Sequence, residues 1–241
     1  HLKQRIMFVT PEISLLEWDS NFFDKRIGQL ILDKEVKVSS EEKFDVIYAK
    51  SNRELEIEIE GYFRSLEQTK VIFAKRNVEG ENVDQVNIYS IISQPNLRES
   101  LYSLAFESGK FSRFLLDANF KESKFKDFYK KWIDNSFLEG FADDVIVYKE
   151  QNQILGFVTY KVADDYAVIG LIGVSPVTQG KGIGTKLIKT VEKKILSNNL
   201  FELRIPTQLE NKQACRFYTK LGYEIVEKEY IKHFWHYDTI Q

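Results

Sequence analysis

The stretch Val174-Ser175-Pro176-Val177-Thr178-Gln179-Gly180-Lys181-Gly182-Ile183-Gly184-Thr185 decides how the rest of the chain is read. It follows the apolar run from Ala167 to Val174, which reads as a strand. It precedes a helical pattern with apolar residues at Ile183, Leu187, Ile188, Val191 and Ile195. The order is therefore strand, glycine-rich turn, helix N-terminus. Gly180, Gly182 and Gly184 stand on alternate positions and let backbone approach a ligand closely. The first turn of the helix offers amides without intrahelical partners at the positive end of the dipole. Together these suit an anionic phosphate. On the glycines alone, the stretch reads equally as a solvated loop carrying Lys181.

Composition narrows the class. The chain has 241 residues, enough for one large domain or two small ones, and a formal net charge of -2. Near-balanced charge gives no sign of a nucleic-acid partner. One cysteine, Cys215, rules out an internal disulfide and suits a reducing cytoplasm. No apolar run reaches the roughly 18 residues that a membrane span needs, and no signal peptide is visible. The sequence opens on His1, and Met7 is a candidate native start. With three histidines (His1, His233, His236) and one cysteine, no zinc site is expected.

Taken in order, short apolar runs at 6–9 and 13–16 flank Pro11 and read as strand ends. Leu16 to Phe23 reads as a turn anchored by aromatics. Strands are expected at 26–32 and 44–49. The segment 53–60 alternates Leu55, Ile57 and Ile59 with glutamates, but its propensities and the following Gly61 favour a helix. Strands follow at 70–74 and 86–92, with a loop at 77–85. Ser93-Gln94-Pro95-Asn96 marks a boundary, dividing residues 1–95 from 96–241. Asn96 and Glu99 form a capping-box pattern opening a helix with Leu97, Leu101, Leu104 and Ala105 on one face. Residues 109–119 read as a loop, and a second helix runs from about 123 to 138. Strands at 144–149 and 154–161 are joined by a hairpin connection, Glu150 to Gln153. After the glycine turn and its helix, Phe201, Leu203 and Ile205 alternate as a strand that Pro206 is expected to break. Asn211 is a good N-cap for a helix with Ala214, Phe217, Tyr218 and Leu221 on one face, closed by Gly222. Strands at 223–226 and 229–237 end the chain. The approach to Phe63-Arg64-Ser65-Leu66-Glu67 echoes that to Tyr223-Glu224-Ile225-Val226-Glu227, as in a partial internal repeat; chance gives as much over five positions.

From residue 96 onward the order of elements and two motifs together resemble the GCN5-related N-acetyltransferase (GNAT) family. Gln179-Gly180-Lys181-Gly182-Ile183-Gly184 matches the Gln/Arg-x-x-Gly-x-Gly/Ala signature. Asn211, Ala214, Phe217, Tyr218, Gly222 and Tyr223 match a second family motif about 30 residues on. The resemblance covers about residues 96–237. It implies an α/β (α+β) fold with a mixed, mostly antiparallel central sheet flanked by helices. It also implies acetyl-CoA as co-substrate, its pyrophosphate on the amides from Gln179 to Gly184 with Thr185 nearby. The pantetheine arm would pair with Ile172-Gly173-Val174 like an added strand, and the Val174 amide would polarise the thioester carbonyl. Asn211 and Ala214 would meet the pantetheine region, and Tyr218 would be the general acid for the leaving thiolate. Tyr218 otherwise reads as core, as aromatics on an apolar helix face usually do. Glu67, Glu210 and a water chain are candidate bases. Cys215 reads as a small buried helix residue, His233 and His236 as structural or surface groups, and Lys121 to Lys131 as a solvated basic face.

Leu16-Glu17-Trp18-Asp19-Ser20-Asn21-Phe22-Phe23, Ser112-Arg113-Phe114, Phe128 to Ile133 and Arg204 to Asn211 further resemble the bacterial TDP-fucosamine N-acetyltransferases. That resemblance implies an N-terminal partial copy of the GNAT fold over residues 1–95 that contributes to acceptor binding. It implies a nucleotide-linked amino sugar as acceptor, with Arg113 and Gln208 on the acceptor side, and a homodimer. The intact glycine turn departs from those relatives, so cofactor binding is the firmer expectation. Other readings are a GNAT enzyme acting on a peptide N-terminus or a small-metabolite amine, and a non-catalytic acyl-CoA-binding module.

Overall fold

The computed structural model describes residues 12–40, 42–80 and 84–239. The expected strand end at 6–9 and Met7 lie outside the described residues. In chain order the elements are β1 (Ser14–Leu15), α1 (Glu17–Phe23), β2 (Ile27–Leu32), β3 (Val36–Val38), β4 (Val46–Ser51), β5 (Ile57–Ile59), β6 (Tyr62–Arg76) and β7 (Ile88–Ser90). A 3-10 turn (Pro95–Leu101) leads into α2 (Tyr102–Ser108), α3 (Arg113–Leu116) and α4 (Glu122–Leu138). Then come β8 (Asp144–Glu150), β9 (Gln153–Val162), β10 (Ala167–Val174), α5 (Ile183–Leu196), β11 (Glu202–Gln208), α6 (Lys212–Lys220) and β12 (Glu224–His236). Among the described residues, no helix is long and apolar enough to cross a membrane.

Among the described residues, ten strands form one mixed sheet in the order β1-β2-β4-β12-β6-β11-β10-β9-β8-β7, parallel only at β2/β4 and β10/β11. The sheet passes through the expected boundary at 95/96, because β7 pairs with β8 and β6 lies between β12 and β11. Helices α1 to α4 cover one face, where Phe128 of α4 bridges two apolar clusters. Helices α5 and α6 cover the other face over residues such as Phe73, Val158 and Ile205. The small parallel pair β3/β5 packs with Ile47, Ala49 and Phe234 beside them.

Several expectations need correcting. Residues 57–59 are a strand, not a helix. Ile57 and Ile59 are buried while Glu58 is exposed, and pairing with β3 favours the period of two over helix propensity. Gly61, at φ +81, turns the chain into β6 instead of ending a helix. Residues 17–23 are helical, with Trp18 stacked on Phe22 at 5.0 Å and Asp24 in the left-handed conformation closing the end. The Asn96 capping box does not form: the 3-10 turn starts with Pro95 and has no side-chain cap. Residues 113–116 form one helical turn capped by Ser112. The Gln151-Asn152 connection does make the expected tight hairpin, with both residues at positive φ.

Pro206 does not break its strand. It lies inside β11, opposite Ile72 of β6. The Leu209 amide donates to the Thr69 carbonyl of β6. By alternation the Pro206 nitrogen therefore faces the other edge, towards β10. That edge has no strand to pair with, because β10 and β11 face each other only at Ala167–Leu203 and Val168–Arg204. A missing donor is tolerated there.

Candidate active site

Beyond Val168 and Arg204 the two parallel strands part, and the sheet opens. Where they part, β10 carries an irregularity between Ile169 and Ile172, and the Leu171 amide donates to the Thr159 hydroxyl instead of a backbone carbonyl. A bulge of this kind re-aims a strand end. The amides of Leu171 and Ser175 both point to β9. Alternation turns the backbone groups of Ile172 and Val174 into the gap. The Val174 carbonyl accepts from Gln179 Nε2 at 3.2 Å, as that orientation requires. Gly173 itself faces β9. A Cβ there would lie 2.5 Å from the Leu104 carbonyl oxygen, so its bareness lets the α2 backbone lie against β10.

The glycine turn closes one end of the gap. Gly180 and Gly182 have φ of +82 and +81, and a Cβ on either would meet nothing within 4 Å. Those glycines serve backbone conformation, and the space around them is open. Gly182 is the residue before α5, with no side-chain cap, and its carbonyl takes the first intrahelical bond from Lys186. The Ile183, Gly184 and Thr185 amides therefore have no acceptor within the helix and point outward at its positive end. Lys181 is exposed beside them.

Helix α6 forms the opposite wall. Asn211 Oδ1 caps it by accepting from the Ala214 amide at 3.1 Å, leaving the carboxamide nitrogen as its donor. Gln213 Nε2 reaches Gln179 Oε1 at 3.4 Å, and Gln179 Nε2 also reaches Glu107 of α2 at 3.2 Å. Gln179 thus links the glycine turn to both neighbouring helices. A Cβ on Gly184 would lie 3.1 Å from the Phe217 ring and 3.8 Å from Val174 Cγ2, so these three residues converge. The Tyr218 ring is buried between Phe73 and Phe217, at centroid distances of 5.5 and 5.4 Å. Its hydroxyl has no hydrogen-bond partner among the described residues. Burial pushes the phenol well above its ordinary value of 10, so it stays protonated.

The candidate bases are differently placed. Glu210 accepts from the Thr69 amide at 3.0 Å, and Glu67 is paired with Arg64 and Lys232. Cys215 is half-buried against the Gln208 and Leu209 carbonyls, and burial raises its thiol, which does not suit a nucleophile.

Arg113 and Gln208 do not touch. Gln208 pairs with Lys70 at the open end of β11, whereas Arg113 lies over β4 and β12. The structure surrounds Arg113 with residues that local sequence pattern could not connect. Its Nη1 is 2.8 Å from His233 Nε2, and its guanidinium lies 4.1 Å from the Tyr48 ring centroid and 4.4 Å from that of Phe114. Arginine has no acceptor, so His233 accepts at Nε2 and carries its proton on Nδ1. That proton goes to Asp117 Oδ2 at 2.7 Å, which also receives Trp235 Nε1 and the Ser65 hydroxyl at 2.9 Å each. Burial lowers His233 to about 4, and it is neutral. Burial alone would raise Asp117, but the His233 and Trp235 hydrogen bonds outweigh it and bring the carboxyl to about 2. A cavity of about 440 Å³ lies elsewhere, lined by Ile57, Ile59, Arg64 and Phe234, away from the gap.

Comparison with known proteins agrees with this geometry. Residues 104–223 match the model described as the acetyltransferase (GNAT) family. Over 142 residues the chain is 26% identical to the spore coat polysaccharide biosynthesis protein SpsD of Bacillus subtilis (strain 168), covering 59% of this chain and 49% of that protein. Over 62 residues it is 39% identical to streptothricin acetyltransferase of Escherichia coli, covering 26% of this chain and 36% of that one. The chain thus spans about half, or less, of the length of these relatives. A GNAT-family structure from Novosphingobium aromaticivorans DSM 12444 superposes with a TM-score of 0.55 at 12% identity, over 81% of this chain and 76% of that one. The parted parallel strands, the glycine turn between them and α5, and the match that spans both lead to one conclusion: the chain has the GNAT fold and carries an acetyltransferase (GNAT) family domain over residues 104–223.

Proposed function

We propose that the protein is an acetyl-CoA-dependent N-acetyltransferase that acts on the amine of a nucleotide-linked amino sugar by direct transfer. The observation that carries the reading is the gap between β10 and β11, with Ile172 and Val174 edges on one side and a protonated Tyr218 in the facing wall. Acetyl-CoA supplies an activated acyl group as a thioester. The Ile183–Thr185 amides and Lys181 bind its pyrophosphate, assisted by the turn from Gln179 to Gly184. The backbone edge at Ile172 and Val174 pairs the pantetheine arm, and the Val174 amide donates to the carbonyl oxygen as charge develops there. Asn211 offers its carboxamide nitrogen to the same arm, and Ala214 leaves room for it.

The amine must arrive neutral. Its nitrogen attacks the carbonyl carbon, the C–S bond breaks, and the Tyr218 hydroxyl gives its proton to the departing sulfur. The proton lost from nitrogen leaves through water or a carboxylate. Glu67 and Glu210 are both tied up by hydrogen bonds or ion pairs, which favours water.

The sugar reading has separate support. On the α1–α4 side of the sheet Gln208 lies at the gap and Arg113 over β4 and β12, and SpsD bears a name in polysaccharide biosynthesis. Residues 1–95 supply much of that face through β4 and β6. Trp18, half exposed and stacked on Phe22, offers a ring face at its rim. The protein is expected to work in the cytoplasm as a homodimer. A second reading, acetylation of a small-metabolite amine, is favoured by the similarity to streptothricin acetyltransferase. Mass spectrometry of products from acetyl-CoA and a panel of nucleotide-linked amino sugars, aminoglycoside-like amines and peptides tests the two. An acetylated nucleotide sugar supports the first. Acetylation of the other amines alone rejects it.

A further inference from the structure

From the gap across to β4, one face of the sheet carries a set of charged groups that the transfer chemistry does not use. Strand register puts Tyr48 and Lys50 of β4, Glu229 and His233 of β12, Gln68 and Lys70 of β6, and Gln208 of β11 on one face. The Gln68 carboxamide donates to the Phe111 carbonyl at 2.7 Å, so the segment leading to α3 crosses this same face. Arg113 follows, its guanidinium over both the Tyr48 and the Phe114 ring. Lys50, Lys70 and Arg113 face Asp19, Glu229 and Asp117, but the Asp117 carboxylate is taken up by His233, Trp235 and Ser65 behind the imidazole. The charges are mutually close: burial lowers Lys50, Glu229 opposes that, and the Arg113 and Lys70 charges push it lower still. Burial likewise raises Asp19 against the pull of Arg113 and Lys50. The Tyr48 hydroxyl is buried beside the guanidinium yet makes no hydrogen bond of normal geometry among the described residues. Such an orphaned polar atom is expected to find a partner when the site fills.

We infer that Arg113, Lys50 and Lys70 form a subsite for the diphosphate of the acceptor, with His233 and Asp117 as positioning residues for Arg113. The inference rests on the acceptor reading above and names what that acceptor must carry. Five guanidinium N–H groups cannot all be spent on one imidazole nitrogen, so the remaining fork is available to phosphate oxygens. The neutral imidazole holds the guanidinium without neutralising it. Asp117, buried and saturated with donors, fixes the tautomer that makes this possible. Lys50 and Lys70 add two point charges along the strands that lead to Gln208 and the gap. Three cations match a diphosphate better than a single carboxylate.

The test is calorimetric titration of the full chain saturated with CoA, which occupies the glycine turn. The probes are inorganic pyrophosphate and thymidine diphosphate. Both bind the CoA-saturated wild type, and affinity falls about tenfold or more in Lys50→Met and Arg113→Gln. CoA affinity, measured on the same samples, stays unchanged and reports folding. His233→Gln, which can still accept from Arg113, keeps affinity within about threefold, whereas His233→Leu loses about tenfold. Absence of diphosphate binding, or equal binding by wild type, Lys50→Met and Arg113→Gln, overturns the subsite. Equal losses in the two His233 variants overturn the positioning role. The readout needs no turnover. Diphosphate binding without any acetylated nucleotide sugar keeps the subsite and removes the sugar reading. An acetylated nucleotide sugar with unaltered diphosphate affinity in the variants does the reverse.

Discussion

Val168 and Arg204 are the last residues of β10 and β11 to face each other as a parallel pair. The proposed cofactor site is arranged around the parting of the strands beyond them. The bulge in β10 re-aims the strand end there, and the orphaned edge at Ile172 and Val174 and the proline tolerated inside β11 are two consequences of the divergence.

The first prediction concerns Pro206. Its nitrogen faces the gap, so restoring an N–H adds no ladder hydrogen bond. Pro206→Ala is expected to change stability by less than about 1 kcal/mol, mostly through the unfolded chain. Urea unfolding measures this. A gain of several kcal/mol would mean that the strands pair where they are described as parted.

Gly182 tests the turn. A Cβ there is sterically free, so Gly182→Ala acts only through its φ of +81. Left-handed alanine costs about 1 kcal/mol, and the free protein relieves part of it by relaxing the turn. CoA binding requires the turn to be restored, so affinity falls about fivefold, with little change in the melting temperature. Calorimetry with CoA decides this, and unchanged affinity would contradict a pyrophosphate site at this helix end.

Tyr218→Phe removes the proton donor and keeps the ring packed on Phe73 and Phe217. Turnover should fall about 100-fold or more, while acetyl-CoA affinity stays within about threefold. Burial raises the phenol above 10, so the alkaline limb of the wild-type kcat profile lies beyond pH 10. The acidic limb rises as the amine deprotonates. A wild-type alkaline limb below pH 9 would point to another acid.

His233 makes stability depend on pH. Its folded value of about 4 lies below the ordinary 6.5, so the unfolded chain binds more protons between these values. Stability is therefore full above about pH 6.5 and is lost as pH falls towards 4, by at most about 3 kcal/mol. The groups facing the ring are Asp117, Arg113, Lys50 and the Tyr48 ring. Thermal melts between pH 4 and 7 should show a smaller acid loss in His233→Gln than in wild type. Parallel curves would assign the loss to other groups.

Much of this was legible before the fold was seen, because the relevant signals are local. The Ala167–Val174 strand appears at the expected bounds, and the helix after the glycine turn buries the expected face of Ile183, Leu187, Ile188, Val191 and Ile195, since an apolar period is a local signal. Asn211 caps its helix through its own side chain, a contact that spans three residues. What escaped depends on distant partners. Residues 57–59 become a strand only because Val36–Val38 lies alongside. Pro206 is harmless only because β10 has turned away. His233 and Asp117 are 116 residues apart in sequence and meet at 2.7 Å only when β12 passes under the loop after α3. Lys50 and Lys70 carry no local signal, and register alone puts them on one face of the sheet.

The most direct test of the central claim is a single quenched reaction, run with wild type and with Tyr218→Phe. Acetyl-CoA and a panel of nucleotide-linked amino sugars are incubated, and free CoA and acetylated sugar are quantified together by mass spectrometry. Wild type is expected to give equal amounts of CoA and N-acetylated sugar, and Tyr218→Phe about 100-fold less of both at unchanged acetyl-CoA binding. CoA release without acetylated sugar, or equal product from the two proteins, would contradict it.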